Sequence, residues 1–454
     1  MGERLNRKET FLIGSLLFGL FFGAGNLIFP VLLGQLAGSN MPQATFGFLL
    51  TGVGLPIMGV MASSLSESES LYEMARPVHP LYSLFFTCAL YLTIGPLFAI
   101  PRTATVAFEV GLSPFVPTEW IGTGLFLFSF IFFALTLYFS LKPGRILDWV
   151  GKYLTPTFVF LLAILLIAAV VYPMGRIGNV APEGDYTSQP LLTGFLEGYH
   201  TMDALASLAF SILIIKNIKD LGIKSSTRIT IETGKAGMVS IVTMAAIYSL
   251  LAYLGTTSLG SVDRAANGGI ILSMVSHHYF GLVGQILLAA IVFLACLKTA
   301  IGLITACASM FSEMFPRSIS YRSYAIVFTL FSFTIANFGL NNIIQYSVPI
   351  LMFLYPLAII LIVLGLLHPV IKKQKDVYRW STGLIFLAAI FDFFQALPET
   401  LQENAFVHEM LSFAQKYLPG FELGFGWVVP GCVGLVIGFI FWKVRSKNHH
   451  QPSR

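Results

Sequence analysis

The sequence predicts an all-α polytopic membrane protein with twelve transmembrane helices, built as a 5+5 inverted repeat with discontinuous first and sixth helices, plus two extra helices. Three observations predict it. The 454 residues are 56% hydrophobic and only 11% charged, with a mean hydropathy of +0.79, where soluble domains carry about 25% charged residues. Twelve apolar segments approach or exceed the roughly 20 residues that cross a bilayer. Basic residues then alternate between loops: of 27 Lys and Arg, 22 fall at the N-terminus or in every second loop, and only Arg176, Arg264 and Lys416 lie opposite. Such a bias puts both termini in the cytoplasm and makes the number of crossings even.

The segments run over 11–33, 41–63, 81–108, 120–141, 146–172, 191–215, 229–254, 280–312, 321–337, 343–367, 380–397 and 423–443. Residues 1–10 form a cytoplasmic N-terminus and 444–454 a cytoplasmic tail. The first segment is too long for a secretory signal and has no small-residue cleavage site, so it stays a membrane helix. The first and sixth segments both carry polar interruptions, and each opens a set of five, 11–172 and 191–367. An odd number of crossings per set inverts the second set relative to the first, the pattern of secondary transporters. Segments within 380–443 are the two additional spans.

No large extramembrane domain stands beside these spans. The longest loops, 173–190 and 399–422, are short, and neither a GxxxxGK[ST] nor an HExxH pattern occurs, which argues against an ATP-driven or zinc-dependent enzyme. The net charge of +5 follows from membrane orientation, and no nucleic acid partner is expected. Cys88, Cys296, Cys307 and Cys432 all lie in apolar segments and read as packing residues rather than disulfides. His277 and His278 fall at an expected outer loop end and read as interfacial.

Polar residues inside the segments point to the site. FFGAGNLIFP at 21–30 places Gly23, Gly25 and Asn26 within an otherwise continuous span. A helix should break there, and freed backbone groups are tolerable in a membrane only where protein, ions or a polar ligand satisfy them. In EGYHTMDALASLAFS at 197–211, Glu197 and His200 read as interfacial, while Asp203 and Ser207 are deeper and share one helix face. Asp203 either couples to a ligand or caps a half-helix. Lys298, mid-segment in LACLKTAIGL, costs roughly 2.5–3.5 kcal/mol as a bare charge, so it is either neutral or paired by carbonyls, hydroxyls or Asp203. Thr299 beside it offers a hydroxyl to a hard cation. Arg102, in GPLFAIPRTATVAFEVG, reads as lying towards the outer end, paired locally with Glu109 or forming an outer gate. Pro349 and Pro356 permit kinks in the tenth segment.

These stretches, with SVPILMFLYP at 347–356, resemble the bacterial branched-chain amino acid:cation symporter family across nearly the whole chain. The resemblance implies the broken-helix fold of the bacterial leucine transporter, a bacterial cell membrane location, and uptake of leucine, isoleucine and valine with Na+ or H+ and no resident cofactor. Gly23, Gly25, Asn26, Phe29 and Pro30 match the GxGNxxFP pattern of that fold. By resemblance, the amides of Gly23, Ala24 and Gly25 receive the substrate carboxylate, and Asp203, Ala204 and Ser207 lie where its ammonium binds. Asn26 and the Phe21 carbonyl lie near one Na+ position. A second position takes carbonyls near Gly19 and Phe22, with Ala295 and the Thr299 hydroxyl aligned to it. Lys298 departs from the pattern there, where a hydroxyl residue often stands, and its ammonium could replace the ion. Other readings are a symporter of the same fold for another amino acid or small solute, and an amino acid sensor or channel. The sequence carries no reading of oligomeric state.

Overall fold

The computed structural model describes residues 4–68 and 70–448, and every regular element among them is helical. Residues 1–3 of the expected N-terminus and 449–454 of the expected tail lie outside the described residues.

Helix α1 (Arg7–Phe21) starts at a capping box: Asn6 Oδ1 accepts the Glu9 N–H at 2.9 Å, and Glu9 Oε2 accepts the Asn6 N–H at 2.8 Å. It stops at Phe22, and α2 (Ala24–Ala37) restarts after Gly23. A π-turn over Leu50–Gly54 joins α3 (Met41–Leu49) to α4 (Leu55–Leu65). After the short α5 (Leu71–Ala75), a second π-turn over Thr93–Leu97 separates α6 (Pro80–Leu92) from α7 (Ala99–Gly111). Then come α8 (Ile121–Ser140) and α9 (Thr155–Val171). The sixth expected segment is α10 (Pro190–Glu197), a 3-10 turn over Gly198–Thr201, and α11 (Asp203–Asp220). Long helices α12 (Ser226–Ser258), α13 (Gly268–Met314), α14 (Tyr321–Ala336) and α15 (Leu340–Leu366) follow. The chain finishes with α16 (His368–Ile371), α17 (Lys375–Gln395), α18 (Glu399–Gln402), α19 (Ala405–Tyr417) and α20 (Val428–Asn448).

Among the described residues, nine helices are long and apolar enough to cross a membrane, or ten if the bent pair Pro190–Thr201 and Asp203–Asp220 is one span. The difference from twelve has a local cause. Ala24–Leu65 runs as one helical stretch of 42 residues, taking in half of the first expected segment and all of the second. Helix α1, with 15 residues, and α14, with 16, are each shorter than a full span.

The backbone departs from the expected helices in three further places. The third segment is interrupted like the first and sixth: Gly95 takes φ −95° and ψ −126° before Pro96, which has no N–H to give. Cys307 Sγ donates to the Tyr91 carbonyl at 3.4 Å beside this break, so that cysteine does more than pack. In α13, Gly281 sits at φ +58°, and the expected span from 280 is preceded by a helical piece that carries His277 and His278, both exposed. The expected loop 399–422 contains the 13-residue α19.

Burial sorts the helices into a centre and a rim. Residues 13–21 of α1, 203–215 of α11 and 295–308 of α13 are buried without interruption. Helix α1 packs on α11, α12 and α13, and α2 packs on α12 and α13. By contrast α8, α9 and α20 expose Phe126, Ile131, Phe160, Ile167, Val436 and Ile440, as hydrocarbon-facing surface would. The two breaks therefore lie in the middle of the molecule.

Candidate functional site

The first break opens at Phe22 (φ −72°, ψ 88°) and Gly23 (φ −108°, ψ −157°), which turn the chain out of α1 before α2 begins. Four N–H groups at the start of a helix have no intrahelical acceptor. Asn26 deals with one of them: its Oδ1 accepts the Gly23 N–H at 3.0 Å. The Ala24 and Gly25 amides remain at the positive end of α2, beside the central cavity.

The second break is at Met202, held in the left-handed region at φ +64° and ψ 7°. A non-glycine residue there stores about 1–3 kcal/mol of strain. The chain bends by 44° between Pro190–Thr201 and Asp203–Asp220. Asp203 is the first residue of α11, and its own N–H is accepted by Thr201 Oγ1 at 3.3 Å. Its carboxylate thus stands at the helix end that favours an anion.

The two breaks are bonded to each other. Asn26 Nδ2 donates to Asp203 Oδ2 and is also in contact with the Tyr248 hydroxyl, while Tyr248 Oη donates to Asp203 Oδ2 at 3.3 Å. All three residues are buried. Tyr248, on α12, is a member the sequence did not reveal, because a lone tyrosine in an apolar run carries no motif.

A cavity of about 30 Å³ lies between the breaks, lined by residues that include Gly23, Ala24, Gly25, Asn26, Asp203 and Thr299. That is room for about one water. Arg102 lines it as well, which corrects its expected outer position. The residue is buried, Nη2 donates to the His200 carbonyl at 3.0 Å, and the guanidinium lies 5.5 Å from the centre of the Phe29 ring. A Cβ on Gly25 would come within 2.6 Å of Arg102 Nη2. Its expected place rested on Pro96 and Pro101 before it and Glu109 two turns later, whereas the guanidinium stands between the His200 carbonyl and the Phe29 ring.

Other expected site residues fall elsewhere. Phe21 lines the central cavity, but Ala204 and Ser207 do not. Ser207 Oγ donates to the Ala204 carbonyl at 2.6 Å and faces α4, where a Cβ on Gly59 would collide with it. Ala206 and Phe210 reach the cavity instead.

Lys298 forms a second cluster. It is fully buried, its Nζ donates to the Gly19 carbonyl at 3.1 Å and to the Phe22 carbonyl, and it lies 4.6 Å from the centre of the Phe158 ring. These are carbonyls freed where α1 ends. Thr299 Oγ1 donates to the Leu20 carbonyl at 3.2 Å, and Ala295 is buried one turn before it. The ammonium therefore sits on the carbonyls that the resemblance assigns to an ion, and no contact with Asp203 is needed to satisfy it. Among the described residues, no group of three or more His, Cys, Asp or Glu is placed to hold a metal ion.

Comparison with known proteins gives a consistent result. A family described as branched-chain amino acid transport proteins matches residues 6–445. A branched-chain amino acid permease BrnQ of Lactobacillus delbrueckii subsp. lactis is 47% identical over 449 residues, covering 99% of this chain and 100% of the relative. The permease of the same name from Bacillus subtilis is 41% identical over 448 residues, covering 99% and 100%. Among solved structures, a nucleobase-cation-symport-1 family transporter, closed with bromovinylhydantoin bound, is similar with a TM-score of 0.61 at 14% identity, covering 96% of this chain and 93% of that one. MhsT in complex with L-phenylalanine is similar with a TM-score of 0.56 at 14% identity, covering 97% and 99%. At that identity the likeness establishes a shared fold.

Proposed function

The chain belongs to the family of branched-chain amino acid transport proteins, and on that premise we propose that it imports leucine, isoleucine and valine by symport with a cation, Na+ or H+, through alternating access. The observation that carries this reading is the meeting of two interrupted helices at one buried cavity. Opposed half-helix ends supply partners for both charges of a zwitterion.

In this mechanism the substrate carboxylate binds the Ala24 and Gly25 amides and the Arg102 guanidinium. The Gly23 amide, already held by Asn26, orients the turn instead. The ammonium binds Asp203 and carbonyls of the Gly198–Thr201 turn. Ile94, Ala99, Phe210 and Leu303 receive the branched side chain. One methylene is worth about 1–3 kcal/mol in such a pocket, so leucine, isoleucine and valine compete closely. A cavity of about 30 Å³ has to widen to hold any of them, which fits a cycle in which one bundle rocks against another.

The same proposal takes the protein as a multi-pass chain of twelve spans in a bacterial cell membrane with both termini cytoplasmic. Residues 11–172 and 191–367 are its inverted five-helix sets, and 380–443 its two additional spans. The placement of 22 of 27 basic residues supports this. Lys298 takes the place of an ion at Gly19 and Phe22, leaving the position near Asn26, or a proton, to drive uptake. Its hydrogen bonds to both carbonyls support that assignment.

The test is radiolabelled leucine uptake into proteoliposomes under separately imposed sodium and proton gradients, for wild type and Lys298→Thr. Wild type is expected to accumulate leucine under at least one gradient, and Lys298→Thr to change which gradient serves. No accumulation under either would refute symport, whereas an unchanged ion dependence in the variant would refute only the role given to Lys298.

A further inference from the structure

Asp392 is a buried carboxylate that the transport mechanism does not use. It lies one turn before the end of α17, is 6% exposed, and neither Oδ1 nor Oδ2 has a hydrogen-bond partner among the described residues. It lines a cavity of about 360 Å³, separate from the central one, together with Tyr199, His200, Gln395, Glu422 and Trp427. The Tyr199 hydroxyl is also buried and has no hydrogen-bond partner among the described residues. An ionised carboxylate removed from water needs a counter-charge with hydrogen-bond donors. No Lys or Arg lines this cavity, and among its lining residues His200 alone can carry a positive charge.

We infer that this cavity binds a primary alkylammonium group, with Asp392 as its counter-charge and Tyr199 as a further acceptor. An ammonium has three N–H donors, and Asp392 Oδ1, Oδ2 and Tyr199 Oη are three buried oxygens without partners. A bare metal ion fits less well, since no group of three or more metal-ligating side chains is found among the described residues. Leu196, Val348, Met352 and Leu423 complete an apolar wall that suits an aliphatic tail. Two sources present this chemistry: a dissolved amine or amino acid, and the ethanolamine headgroup of a lipid.

Occupancy reaches the central site through the Gly198–Thr201 turn. Tyr199 stacks on Tyr355 at 4.3 Å, Tyr355 Oη donates to the Tyr199 carbonyl at 2.6 Å, and the next carbonyl, of His200, holds Arg102. A ligand on Asp392 and Tyr199 thus braces the same turn that positions the guanidinium at the first break.

The test uses the full chain with Trp120, Trp149, Trp380 and Trp442 replaced by Phe, so that Trp427 reports on the cavity. The protein is delipidated and reconstituted in vesicles of phosphatidylcholine and phosphatidylglycerol, then titrated with isoamylamine and, separately, with leucine. Isoamylamine is expected to give a saturable change in fluorescence. Asp392→Asn is expected to weaken its apparent affinity at least tenfold, and Asp392→Glu to stay within threefold of wild type. A response to leucine with the same dependence on Asp392 identifies the dissolved source. Loss of the isoamylamine response in phosphatidylethanolamine vesicles identifies the lipid headgroup. An isoamylamine titration that Asp392→Asn leaves unchanged, or no saturable response to isoamylamine, overturns the proposal. A variant-free arm guards against misfolding: isoamylamine should slow carbodiimide modification of Asp392 in the wild-type chain, read by peptide mass spectrometry, and unslowed modification also overturns it. Because isoamylamine has no carboxylate, failure of leucine transport would leave these outcomes intact.

Discussion

The two breaks that meet at the central cavity are built by opposite means. In the first, Gly23 leaves α1 without entering the left-handed region, and Asn26 reaches back to hold its amide. Nothing in that turn is forced. In the second, Met202 is held at φ +64° and its own side chain does not cap α11, and a carboxylate, Asp203, follows immediately. The first break is relaxed and offers amides, whereas the second is strained and offers a charge. The difference teaches that a broken helix need not be loose: one half of the candidate site is preformed, and the other is kept in place by neighbours, among them Tyr248 and Asn26.

The comparison breaks first at Asp203. Asp203→Ala leaves Asn26 Nδ2 and the Tyr248 hydroxyl without their acceptor in a buried place, and removes the charge offered to the ammonium. Leucine kcat/KM in proteoliposomes is expected to fall at least about 100-fold, or about 2.7 kcal/mol of transition-state stabilisation. A loss of less than fivefold would mean that the second break is not the charged partner.

A smaller effect is expected at the first break. In Gly25→Ala the new methyl meets Arg102 Nη2 at 2.6 Å and Phe29 Cε2 at 3.0 Å. Because the guanidinium is the end of a long side chain, it can move, and the expected cost is about tenfold in leucine KM, or about 1.4 kcal/mol. An unchanged KM would separate Arg102 and Gly25 from carboxylate binding.

The smallest change sets strain against packing. Met202→Gly relieves the left-handed conformation, worth about 1–3 kcal/mol, but removes a side chain buried at 3% exposure, which costs about 2–5 kcal/mol, and adds backbone freedom to the unfolded chain. The thermal transition in detergent is therefore expected to fall by about 1–2 kcal/mol equivalent. A transition that is unchanged or raised would show that strain outweighs packing at the second break.

Much of this was legible from residue order. The first break follows from glycines and an asparagine in a span, and the second from the run of polar residues before Ala204. The partners of Lys298, near Gly19 and Phe22, followed from the family resemblance, and the hydrogen bonds of its Nζ fall on those two carbonyls. What was not legible depends on rotation. Ser207 reads as a site residue from its spacing to Asp203, yet its hydroxyl bonds the Ala204 carbonyl and lies against Gly59, off the cavity that Asp203 lines. Arg102 reads as peripheral, yet its guanidinium reaches the His200 carbonyl at the second break.

The sequence by itself determined that this is a helical membrane protein and where its first and sixth segments lose their regularity, because hydropathy and backbone propensity act over a few neighbouring residues, and its motifs carried the resemblance to the branched-chain amino acid transport family. Only the tertiary structure decided which groups face each other: that Asn26, Asp203 and Tyr248 form one cluster, that Arg102 stands at Gly25, and that the Asp392 carboxylate has no hydrogen-bond partner among the described residues. Those facts depend on how distant helices pack and rotate, over separations as long as the 222 residues between Asn26 and Tyr248. No local pattern carries that information.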